Sequence, residues 1–90
     1  MKMTELKAGD KAEIISTKAR GEIATRLIDM GLVKGTRFKL IRKAPLGDPI
    51  EIMLRGFFLS LRLSEAENIS VEKIGYVGDG KPMGGGKRGR

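Results

Sequence analysis

Ala44-Pro45-Leu46-Gly47-Asp48-Pro49-Ile50 sets two prolines and a glycine between two runs that alternate like strands, and reading it as a rigid hairpin connection decides the fold. Pro45 and Pro49 each fix φ, remove a backbone donor and push the preceding residue toward extended geometry, so Ala44 leaves one strand and Asp48 enters the next. Before the loop, Phe38 and Leu40 share one face while Arg37, Lys39 and Ile41 share the other. That is the period of a half-buried strand. A loop over residues 44–48 sets Leu40 opposite Ile52 and Phe38 opposite Leu54. A tight turn at Arg55-Gly56 then sets Leu54 opposite Phe57, Ile52 opposite Leu59 and Ile50 opposite Leu61. Every inward apolar residue thus meets another, and a slip of one residue would turn the whole set to solvent. Phe38 and Phe57 are expected in the core. Met53 falls opposite Phe58 on the outer face, with Ile41 on the adjacent strand, a patch either for contact or to be covered by another element.

Upstream, Ala8-Gly9-Asp10 predicts a turn and residues 11–17 a strand with Ala12 and Ile14 inward. From Gly21 the period changes: Ile23, Ala24, Leu27, Ile28 and Met30 follow helical spacing, with Glu22, Arg26 and Asp29 opposite. Gly31 sits where a left-handed residue closes a helix, and Lys34-Gly35 turns the chain back toward a strand. Downstream, Ser64-Glu65-Ala66-Glu67 predicts one helical turn, and Ile69 with Val71 opens a final strand. Five short strands and one helix make a mainly β fold, a small curled barrel.

Composition narrows the function. The chain has 90 residues, no cysteine and no histidine, which removes thiolate chemistry, imidazole bases and the strongest transition-metal ligands together. No nucleophile and base pair is visible, and an enzyme is not expected. Seven of the sixteen residues from position 75 are glycine, and Lys81, Lys87, Arg88 and Arg90 make that stretch cationic. Such a composition does not offset the entropy of ordering, so we expect a domain over residues 1–74 and a disordered tail over residues 75–90. About 74 residues bury only about 60–65% of their unfolded surface, which favours a binding module over a catalytic cleft. With no secretory pattern and no long apolar run, a soluble cytoplasmic protein is expected.

The net charge of +7 invites an RNA or ribosome reading, which stands as the alternative. Against specific nucleic-acid binding, the aromatics are only Phe38, Phe57, Phe58 and Tyr76, too few for stacking platforms. Gly84-Gly85-Gly86-Lys87-Arg88 lacks the preceding strand, the following helix and the Gly-Lys-Ser/Thr ending of a phosphate cradle. The carboxylates Asp29, Asp48, Glu51, Glu65, Glu67 and Glu72 are the candidate metal ligands. They suit weak, oxygen-ligated Fe2+, Mn2+ or Mg2+ and no tight tetrahedral zinc, and solvated surface carboxylates are the plainer reading of them.

Three separately spaced motifs occur in order: Arg26-Leu27-x-Asp29-Met30-Gly31-Leu32-x-x-Gly35, then residues 44–50, then Arg55-Gly56 followed by Leu59-x-Leu61-Arg62. Together they resemble the FeoA family of ferrous iron transport proteins, from about residue 6 to residue 71. The resemblance implies an SH3-like β-barrel with one α-helix inserted after the first strand. It also implies a cytosolic, non-enzymatic accessory with no required cofactor, which regulates Fe2+ uptake by docking on the FeoB transporter. Carried onto this chain, Arg26, Leu27, Asp29 and Met30 form the helix-end feature and Pro45, Leu46, Gly47, Asp48 and Pro49 the rigid loop. To these we add Ile41, Met53 and Phe58 as the contact patch. The Gly-rich basic extension is no part of the family pattern.

Overall fold

The computed structural model describes residues 1–74 and, beyond them, the pairing of two short strands. The chain opens with a 3-10 turn, Met3–Glu5, followed by β1 (Lys11–Thr17), α1 (Gly21–Asp29), β2 (Arg37–Lys43), β3 (Ile50–Leu54), β4 (Phe57–Leu61), α2 (Leu63–Ala66) and β5 (Ile69–Lys73). The five strands form one antiparallel sheet in the order β4-β3-β2-β1-β5. β6 (Tyr76–Val77) pairs with β7 (Lys81–Pro82). The rest of the expected tail lies outside the described residues.

The expected register holds where alternation and turn length agree. Leu40 lies opposite Ile52, Ile52 opposite Leu59, and Leu54 opposite Phe57. Arg55 and Gly56 both take positive φ, 52° and 84°, the backbone of a two-residue hairpin turn that matches strand twist. One irregularity was not legible in the alternation. Ile41 is an extra residue in the β2–β3 ladder, so the pairing moves from Leu40↔Ile52 to Arg42↔Glu51 and Lys43↔Ile50. The loop is consequently closed by Ala44 N–H donating to the Pro49 carbonyl at 3.0 Å. A second bulge lies in β1 between Ile14 and Ser16. Bulges add local twist and bend, which curls a five-stranded sheet around its own core.

The strands' inward residues, among them Ala12, Ile14, Leu40, Ile52, Leu61 and Val71, are buried, each large aliphatic one contributing about 1.5–3 kcal/mol. Met3 and Leu6 of the opening segment join them, and α1 adds Leu27 with Ile23 and Met30 packed alongside. The helix ends as its glycine predicts. Gly31, at φ 85°, donates to the Ile28 carbonyl while Leu32 N–H reaches the Leu27 carbonyl at 2.8 Å, and the flanking Leu27 and Leu32 are both buried.

Two expectations about the core are corrected. Phe38 is buried but Phe57 is 66% exposed, because it sits on the edge strand beside the turn, where nothing packs over its ring. Ile28 is 62% exposed: the apolar stripe of α1 is wider than the surface it covers.

Candidate functional site

Residues from all three resemblance motifs meet at the start of α2. Arg26 of α1, Asp48 and Pro49 of the proline loop, and Ser60, Leu61 and Arg62 at the end of β4 line one open cleft of about 440 Å³. The polar atoms of this region are largely engaged. Asp48 Oδ1 accepts from Leu63 N–H at 3.0 Å, capping α2 from fifteen residues away. Glu65 Oε1 accepts from Arg62 N–H at 2.9 Å, and its Oε2 lies 3.1 Å from Arg26 Nε. Glu65 is buried, which corrects its reading as one more solvated carboxylate: a buried charge needs a partner, and here it has a cation and a backbone donor. The signal available in the sequence was a glutamate at the third position of the short helical turn, from which its carboxylate reaches back to the N-cap N–H. No local spacing announces the cap from Asp48.

The other residues of the helix-end feature go elsewhere. Leu27 is core. Asp29 and Met30 line a second cleft with Leu54, Arg55, Phe57 and Leu59, at the opposite end of β4. The loop tip lines neither cleft. Leu46 is 94% exposed, Pro45 is also exposed, and Gly47 holds a φ of 86° while its N–H donates to the Ala44 carbonyl. The Asp48-Pro49 peptide is cis.

On the outer face the sheet places Met53 opposite Phe58, as alternation predicts. Met53 is half-buried and Phe58 is 62% exposed; neither α1 nor the opening segment covers that ring. Ile41 is half-buried in the β2 bulge. The row continues across the sheet, with Lys39 opposite Met53 and Lys11 opposite Lys39. Beside it lies a groove of about 400 Å³ lined by Phe38, Met53, Leu54 and Ile74 and by four cations, Lys11, Arg37, Lys39 and Arg55. Sequence reasoning found Met53 but missed the cations around it, since they come from β1, β2 and the β3–β4 turn.

Among the described residues no three acidic side chains gather to hold a metal ion. Glu51 pairs with Arg42, Glu65 with Arg26, and Asp48 caps α2. No described helix is long and apolar enough to cross a membrane.

The comparison with known proteins decides the family. A model of the FeoA domain matches residues 1–73. The chain belongs to the FeoA family. It is 36% identical over 74 residues to the Fe(2+) transport protein A/Fe(2+) transporter FeoB fusion protein of Porphyromonas gingivalis, covering 82% of this chain and only 9% of that much longer one. Among solved structures, FeoA from Chlorobium tepidum superposes with a TM-score of 0.77 at 49% identity, covering 83% of this chain and 71% of that one. FeoA from Stenotrophomonas maltophilia, a prokaryotic SH3 domain protein crystallised with zinc, superposes with a TM-score of 0.68 at 32% identity, covering 80% and 89%. The sheet and inserted helix of this FeoA domain are therefore SH3-like. Zinc belongs to the Stenotrophomonas crystal.

Proposed function

We propose that this FeoA domain is a cytosolic, non-enzymatic accessory of ferrous iron uptake that docks on the cytosolic GTPase portion of a FeoB-type transporter. The observation that carries the reading is the Porphyromonas relative, in which a segment 36% identical to this chain is fused to FeoB in one polypeptide. Fusion fixes two partners at high effective concentration, and separate chains achieve the same contact through a complementary surface. The surface offered is the Met53–Phe58 face, since methionine and aromatic side chains are enriched where proteins meet. Glu51, Glu65 and Asp48 are engaged in ion pairs and a cap, which supports action by contact rather than by ferrying iron. Such a domain acts through differential affinity, stabilising whichever transporter state it binds better.

The test is a titration of the full chain against the cytosolic GTPase portion of the cognate transporter at two salt concentrations, beside an RNA control. Saturable binding to the transporter alone is expected, with a shallow salt dependence. Binding to RNA alone, falling steeply with salt as phosphate contacts require, would replace this reading with the nucleic-acid one. Met53→Asp with Phe58→Ser is expected to fold and lose binding; unchanged binding would remove this face from the contact.

A further inference from the structure

The groove beside Met53 has a chemistry more specific than an apolar patch. Its floor is Phe38, Leu54, Met53 and Ile74, and its rim holds Lys11, Arg37, Lys39 and Arg55, with no carboxylate among the lining residues. Arg37 is occupied by Glu13, its Nε donating to Oε1 at 3.2 Å. Lys39 and Arg55 form no ion pair among the described residues. One further observation marks Arg55 itself. Arg55 is the one non-glycine residue with positive φ among those described, at a turn position that favours asparagine or glycine. Backbone strain held at the rim of a groove is where functional constraint is sought.

We infer that this groove binds an acidic peptide segment carrying an apolar anchor, with the anchor on the Met53–Leu54 floor and flanking carboxylates on Lys39 and Arg55. The occupant follows from charge complementarity. The chain's own residues 75–90 carry four basic side chains and one acidic, and a second copy carries the same net +7, so neither matches a cationic rim. Within the groove itself no ring is open for a nucleobase to stack on, since Phe38, the one aromatic lining it, is 4% exposed; the exposed Phe58 lies beside the groove, opposite Met53. A volume of about 400 Å³ suits one or two side chains. The inference rests on the docking reading only for which protein supplies the segment.

The test uses the full chain and two blocked heptapeptides, Glu-Asp-Leu-Glu-Leu-Asp-Glu and its counterpart with lysine at every acidic position, titrated to millimolar concentration while backbone amide resonances are followed. The acidic peptide is expected to shift Lys39, Met53, Arg55 and Ile74 saturably, and the lysine peptide to shift none of them. Lys39→Gln with Arg55→Asn, where asparagine suits the left-handed backbone, is expected to weaken binding about tenfold or more without lowering the melting temperature. Lys39→Glu with Arg55→Glu is expected to abolish it. Absence of saturable shifts, equal response to both peptides, or displacement of the acidic peptide by an RNA oligomer at lower concentration would overturn the inference. The two readings fail separately. Transporter binding without peptide binding removes the groove chemistry and leaves docking intact, whereas peptide binding without transporter binding retains the groove and removes that transporter as partner.

Discussion

At the start of α2, Arg26, Asp48 and Glu65 are drawn together from three elements and satisfied within the fold; across the sheet, Lys39 and Arg55 rim an apolar groove without a partner from the described residues. The first region draws on all three motifs that carry the family resemblance, and it is built as structure. The second contains little of those motifs, and it is built as surface. A residue that belongs to a family pattern is therefore not by that fact a contact residue. Asp48 and Arg26 hold α2 against the loop and the helix, whereas the chemistry left over for a partner gathers where three strands and a turn happen to converge.

Stability measurements separate the two regions. The largest effect is expected from Glu65→Ala, which removes the acceptor for Arg62 N–H and the partner of Arg26 from a buried site: a loss of about 2 kcal/mol, read as a fall of about 10 °C in melting temperature. Asp48→Ala should cost about 1 kcal/mol by uncapping Leu63 N–H, and Asp48→Asn, which keeps an acceptor, about half of that in urea denaturation. Arg26→Ala leaves the Glu65 carboxylate without its cation, yet the guanidinium is 58% exposed and screened, so about 0.5–1 kcal/mol is expected. Lys39→Gln, across the sheet, should stay within about 0.5 kcal/mol of the parent. Arg55→Asn should gain a few tenths of a kcal/mol by relieving the positive φ, an increase that calorimetry can resolve. If Asp48→Ala proved neutral while Lys39→Gln cost more than about 1 kcal/mol, the distinction between a structural cleft and a free surface would collapse.

The β2–β3–β4 meander was legible because two independent constraints, inward alternation and turn length, had to agree. Ile52 meets Leu40 on one side and Leu59 on the other, as both constraints require. The Ile41 bulge escaped because an inserted residue leaves the composition of the strand unchanged. Phe57 shows a different limit. Its pairing with Leu54 was read correctly, but facing inward buries a ring only if another element lies over it, and on the edge strand beside the turn none does. Of the site, Met53 and Phe58 were legible from alternation alone, whereas the cap from Asp48 and the ring of cations depend on distances between elements far apart in sequence.

By itself the sequence determined the strands, the helix with its Gly31 stop, the hairpin register and the family, since these rest on neighbours along the chain or on a short ladder of facing residues. Which charges are spent inside the molecule and which remain for a partner was decided only by the tertiary structure. Glu65 and Asp48 look alike in composition to Glu67 and Asp29, and Lys39 to any exposed lysine. Their roles follow from what the curled sheet brings within about 3 Å of each, the range in which a hydrogen bond or an ion pair forms.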